Sequence, residues 1–162
     1  MIFLITGITS QKSLAQVKNL SGPRIGFTLL APGKTADWLT GEEGASSQIT
    51  TQYGWQWESR FADGGDITGL VEWVALIGGM EKGTFLPSVS SLVGIRTLEG
   101  FEIAAGPSLS AGGIGMIAGI GFTMTQGNLN IPINFVFSPK KQLSGAAFSV
   151  LIGFNMSKEK SN

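Results

Sequence analysis

The sequence predicts an all-β protein: eight antiparallel strands in up-and-down (meander) order, closing into a β-barrel. Three observations predict it. Apolar and polar residues alternate with a period of two through eight successive stretches, which puts successive side chains on opposite sides of a strand. The connections between stretches are short enough for antiparallel hairpins, except the first, and none supplies the crossover that parallel strands need. Glycine is abundant at 24 residues and charge is low at 14% of the chain, unlike a helical globule with Lys- and Glu-rich exposed faces. An even-numbered meander of this kind closes naturally and so removes both exposed edges.

The strands follow in order. The first is 24–30, where Ile25, Phe27 and Leu29 oppose Arg24, Gly26 and Thr28. Pro32-Gly33 ends it, and the longest connection, 32–47, has room for a short helical turn at 35–39. The second strand, 49–61, carries the most distinctive pattern. Ile49, Thr51, Tyr53, Trp55, Trp57, Ser59 and Phe61 share one face, and Thr50, Gln52, Gly54, Gln56, Glu58 and Arg60 share the other. A polar turn at 62–66 leads to strand three, 67–77, with Trp73 on the apolar face and Glu72 opposite. Strand four is 85–97, starting at Phe85 and carrying Arg96 on its polar face. Strand five, 101–109, sets Phe101 and Ile103 against Glu102. Strand six, 115–125, and strand seven, 129–137, follow, the latter with Phe135 and Phe137 against Asn130 and Asn134. Strand eight, 147–156, sets Phe148, Val150, Ile152, Phe154 and Met156 against Ser149, Gly153 and Asn155. Pro87, Pro107 and Pro132 fall inside these strands, where each removes a ladder donor.

The polarity of the barrel follows from its charges. Six charged residues lie within strands: Arg24, Glu58, Arg60, Glu72, Arg96 and Glu102. All six sit opposite the aromatic and branched residues, and they include all three arginines of the chain, while the lysines fall in turns, loops and termini. A solvent face should be rich in Lys and Glu. This one is mostly Gly, Ser, Thr, Gln and Asn, which suits a narrow lumen. The expected fold is therefore a transmembrane β-barrel, apolar side to lipid and polar side inward. Strand direction gathers the six charges in the half of the lumen nearest the termini, where Arg and carboxylate can pair and form a lumenal charge network. Eight strands leave an interior just wide enough for side chains, so such a network would plug it. Tyr53, Trp55, Trp57, Trp73, Phe135, Phe137, Phe148 and Phe154, with Phe61, Phe85 and Phe101, become membrane-facing aromatics, several of them near strand ends as interface girdles require. The competing arrangement is a soluble secreted barrel with the aromatics inside, binding a lipid or other apolar ligand.

Composition excludes much chemistry. The chain of 162 residues suits one domain and has no His and no Cys, so histidine bases, histidine metal sites, thiol nucleophiles and disulfides are absent. Its formal net charge of +0 gives no electrostatic footprint for nucleic acid. Glu58, Glu72 and Glu102 could be read as catalytic carboxylates, but three arginines beside them favour a structural network. No catalytic, metal or cofactor site is predicted.

The stretches PRIGFTLL, TTQYGWQWESRF, SLVGIRTLEGFEIAAGPSLS, NLNIPINFVFSP and FSVLIGFNM together resemble the small eight-stranded outer-membrane β-barrel proteins of Gram-negative bacteria, over roughly 23–156. The resemblance rests on alternation and glycine–aromatic strand ends. It implies a monomeric, non-enzymatic barrel in the bacterial outer membrane, with termini in the periplasm and the connections 32–47, 78–83, 111–113 and 138–145 outside. The implied partners are outer-membrane lipids, the barrel-assembly machinery and an extracellular ligand. The last strand would carry the assembly signal through Phe148, Val150, Ile152 and Phe154, with Met156 where a terminal aromatic usually stands and 157–162 as an added polar tail. Residues 1–21 read as a leader or signal-like segment: 1–8 is apolar, and Ser13-Leu14-Ala15 precedes Gln16, although the positive n-region is missing. Residues 22–156 form the barrel.

Overall fold

A computed structural model describes residues 19–156. Its strands are β1 (Gly22–Leu30), β2 (Gln48–Asp63), β3 (Ile67–Gly78), β4 (Leu86–Thr97), β5 (Phe101–Ser110), β6 (Gly113–Gln126), β7 (Leu129–Ser138), β8 (Ala147–Gly153) and the two-residue β9 (Asn155–Met156). β9 continues β8 after a break at Phe154, so the nine segments make eight staves. Each stave pairs antiparallel with its sequence neighbours, β1 pairs with β8, and the circle is closed through β6 and β7. The expected meander barrel is the observed one. Among the described residues no helix is long and apolar enough to cross a membrane, and strands do not need one.

Termini and even-numbered connections share one end, here called the near end. Its turns are short, and Gly100 (φ 91°) and Gly127 (φ 60°) supply left-handed residues that close two of them. At the far end the first connection contains the expected helix, α1 (Lys34–Thr40), which ends at the left-handed Gly41. Strand β2 runs two residues past its expected end, with a bulge between Arg60 and Ala62.

Two of the three prolines, Pro107 and Pro132, are accommodated by interrupting the ladder locally. Between β4 and β5 pairing runs through Ser90↔Ser108, lapses opposite Pro107, and resumes at Val93↔Ala105 in the same register. Between β7 and the last stave it runs to Ile133↔Ile152, lapses where Ile131–Pro132 face Gly153–Phe154, and resumes at Asn130↔Asn155. Pro87 sits at the start of β4, one residue before the β4–β5 ladder begins, and its carbonyl still accepts from the Ala111 N–H at 3.2 Å. A missing donor thus costs two ladder positions and no register.

β1 begins at Gly22, and the residues just before it pack against the barrel. Leu20 is fully buried, its carbonyl accepts from Arg24 Nη2 at 2.8 Å, and Asn19 Nδ2 donates to the Glu58 carbonyl at 2.8 Å. The Glu58 N–H donates to Ser21 Oγ at 2.9 Å, so 19–21 runs on beside β2. The rest of the proposed leader and the tail 157–162 lie outside the described residues.

Candidate functional site

The near half of the lumen is built from inner-face residues of five consecutive strands. Glu58 on β2 and Glu72 on β3 are directly opposite one another, an arrangement of like charges that is unfavourable by itself. Arg96 on β4 resolves it. Its Nη1 and Nη2 donate to the two carboxylate oxygens of Glu58 at 2.8 and 2.5 Å, and its Nε donates to Glu102 Oε2 at 2.8 Å, across the β4–β5 ladder. Glu72 Oε1 stands 3.7 Å from Arg96 Nη2 and accepts from Gln56 Nε2. Gln56 Oε1 in turn accepts from Arg24 Nε at 3.0 Å, linking β1 to the group. Gly153 makes room for this last arginine, since a Cβ there would meet the Arg24 guanidinium at 2.3 Å. All of these side chains are buried. Charge-assisted bonds that satisfy both partners are what makes such burial tolerable.

Of the six charged residues the alternation puts inside, five are therefore joined, by hydrogen bonds and by the 3.7 Å Glu72–Arg96 ion pair, with Gln56 as a member that the sequence reading passes over. Arg60 is the exception. It is half-buried at the near end of β2, among the described residues it forms no ion pair, and its Nε has no hydrogen-bond partner. It is the last inner-face residue before the bulge between Arg60 and Ala62.

The aromatic face points outward. Tyr53, Trp55, Trp57, Trp73, Phe135, Phe137, Phe148 and Phe154 are 40–58% exposed on the barrel's outer surface. Trp57 faces Trp73 across the β2–β3 pair, and Phe137 faces Phe148 across β7–β8. Phe61 and Phe101 mark near-end strand limits, while Phe85 lies just before β4 rather than in it. The rings are outside and the Arg24 and Arg96 guanidinium groups enclosed, the reverse of an aromatic interior.

The far half of the lumen is different. A cavity of about 140 Å³ extends from Gln56 and Glu72 toward the far end. Its walls alternate hydroxyls such as Thr28, Ser90, Ser108 and Ser149 with Val74, Leu92 and Leu151. The side-chain filling expected of the whole lumen thus stops at the charged group. Hydroxyl pairs cross the walls, Thr28 with Ser149 at 2.7 Å and Ser90 to Ser108 at 2.9 Å.

The far-end connections form a partial lid at the mouth of this cavity, to which Thr35, Gly112 and Ser144 contribute. Helix α1 buries Thr35, Ala36 and Leu39 and leaves Trp38 exposed. The Thr35 N–H donates to the Leu143 carbonyl at 3.1 Å, the Leu143 N–H to the Gly112 carbonyl at 3.0 Å, and the Ala31 N–H to the Ala146 carbonyl at 2.8 Å. The first, third and last far-end connections are thereby tied to one another. The second is pinned separately by Glu81, in the turn 80–82. Its carboxylate accepts from the Thr50 hydroxyl at 2.8 Å and from the Thr51 N–H and hydroxyl at 2.9 and 2.6 Å. Slight burial pushes the Glu81 carboxyl up, but these hydrogen bonds outweigh it and hold it down at about 2.

Chemically, the charged group is occupied by its own counter-ions. Ligand atoms of Glu58, Glu72 and Glu102 lie within 4.8 Å of one another, a spacing that could hold a cation. The Arg96 guanidinium already stands among them, bonded to two of the three. No family model and no curated protein matches the chain. Solved structures similar to it include two of Ail, the attachment invasion locus protein of Yersinia pestis, one of them in complex with the heparin analogue sucrose octasulfate. The complex is 13% identical with a TM-score of 0.28, covering 84% of this chain and 97% of that one. The other is 14% identical with a TM-score of 0.27, covering 83% and 96%. Scores this low carry no argument about function, and the architecture rests on the strand pairing itself.

Proposed function

We propose that the protein is a non-enzymatic, monomeric β-barrel of a bacterial outer membrane with a structural or surface-interaction role. One observation carries the reading: large aromatic side chains form the outer surface while Arg24, Glu58, Glu72, Arg96 and Glu102 are enclosed. A protein in water gains nothing by exposing Trp55, Trp57 and Trp73 and burying five charges; in a bilayer the same arrangement places apolar surface against hydrocarbon. A barrel also satisfies its backbone hydrogen bonds internally, as a membrane demands. The short turns at the near end support a periplasmic position for it, and the longer, lidded far end would face outward and meet a partner. The role of Arg24, Glu58, Glu72, Arg96 and Glu102 is to hold the near half shut, with Arg60 standing at its edge. Assembly through the last stave, with Phe148, Val150, Ile152 and Phe154 as its outward residues, belongs to the same proposal. The absence of His and Cys, and carboxylates held by Arg96, support a non-catalytic role.

Detergent dependence tests this. The purified protein should be monodisperse and rich in β-structure by circular dichroism only in detergent or lipid. A folded, monodisperse species in plain buffer would defeat the membrane reading.

A further inference from the structure

Arg24 and Arg96 find their partners within the barrel wall, but the cation of the far half does not. Lys141, in the last far-end connection, turns inward over β6. Its stem lies on inner-face Gly115, where a Cβ would stand 3.1 Å from Lys141 Cγ. The ammonium reaches β5, donating to Ser110 Oγ at 3.2 Å and Ser108 Oγ at 3.5 Å, and it lines the same cavity of about 140 Å³. Among the described residues no carboxylate pairs with it. Burial pushes the ammonium down from its ordinary value, as expected of a cation without a counter-charge.

An ammonium carries three donors and no acceptor, and a buried charge is costly unless paired. Here the surroundings are hydroxyls: Ser108, Ser110, Thr35 and Ser144 line the roof of the cavity near it. Ser108 Oγ accepts from Lys141 and from the Ser90 hydroxyl at 2.9 Å and so retains its own proton to donate, while Ser110 Oγ donates to the Gly113 carbonyl at 3.3 Å. The one carboxylate lining the cavity, Glu72, is engaged by Gln56 and stands beside Arg96. A cation beside a free hydroxyl donor, over a void ample for several waters, is chemistry that binds a tetrahedral oxyanion.

We propose that the far half of the lumen binds a small free oxyanion, phosphate or sulfate, with Lys141 as counter-charge, held in place by Ser110, and Ser108 as hydrogen-bond donor. The site does not depend on which membrane holds the barrel. The connection that carries Lys141 is also part of the lid, so the lid itself supplies the charge.

The test is calorimetric titration of the folded full-length barrel in detergent with inorganic phosphate, ionic strength being held constant with chloride. Saturable one-to-one binding is expected. Lys141→Met, which keeps the apolar stem, should weaken it at least about tenfold, whereas Lys140→Met should change it less than about twofold. If Lys141→Met does not fold by circular dichroism, the double variant Ser108→Ala, Ser110→Ala serves in its place and should also weaken binding. Absence of saturable binding by the wild type overturns the proposal, as does undiminished affinity in the folded Lys141→Met or double variant. Lys141 would then be a tether between lid and wall.

Discussion

The two halves of one lumen solve the problem of polar interiors in opposite ways. Toward the termini, charged side chains from β1 to β5 are joined through Arg96 and Gln56, and little space is left. Toward the far end, hydroxyls line a cavity and their pairing is local, Thr28 with Ser149 and Ser90 with Ser108. A charge withdrawn from water demands a partner of fixed geometry, so the charged half must be packed. A hydroxyl can bond a neighbour or a water molecule, so the other half tolerates a void. Stability should therefore be concentrated near the termini, and capacity for change at the other end.

Removing the central guanidinium should separate the halves most clearly. Arg96→Met leaves Glu58 and Glu102 unpaired, and should cost about 3–5 kcal/mol or prevent folding, read from urea unfolding in lipid vesicles by tryptophan fluorescence. Glu72→Ala tests the same group from its edge. Because Glu72 stands 3.7 Å from Arg96 while Glu58 is bonded by two donors, its loss should be the smaller of the two carboxylate effects. An equal or larger cost than Glu58→Ala would show that the linkage through Gln56 dominates. Gln56→Ala should itself cost about 1–3 kcal/mol by stranding the Arg24 Nε and a Glu72 oxygen. In the far half, replacing both Ser90 and Ser108 with Ala removes both partners of one hydrogen bond and should fall within about 1 kcal/mol of wild type. A larger loss there would break the contrast between the halves.

The smallest effect belongs to the lid. Glu81 is held at about 2, below its ordinary 4.5, so its contribution is complete above pH 4.5 and fades as pH falls toward 2. Glu81→Gln should remove that part of the acid dependence, seen as a flatter stability curve between these values. An unchanged curve would mean that the turn 80–82 is not held by its carboxylate.

Strand positions and faces were legible in the sequence because a period of two is a local property. The alternation through 49–61 is enough to put Trp55 outside and Glu58 inside, whatever the neighbouring strands are. Partnership across the lumen is not local. Gln56 looks like any small polar filler until β1 and β3 flank it and bring Arg24 and Glu72 to its two ends. Arg60 shares the parity of Glu58 yet stands beyond the group, because parity fixes the side and not the depth. Lys141 is hidden for a further reason. It belongs to a connection, and no periodicity announces that a loop residue will bend over Gly115 into the interior.

The two lapses in the ladder, opposite Pro107 and Pro132, have a consequence for how the wall yields. Apart from the bulge near the end of the β2–β3 seam, the other seams of the barrel are stitched continuously, but β4–β5 and β7–β8 each have a gap of two positions partway along. Amide deuterium uptake should start at these two seams and spread outward from them, well before the β2–β3 and β3–β4 seams exchange. The barrel would then open along chosen lines, as a sheet of paper tears along its perforations.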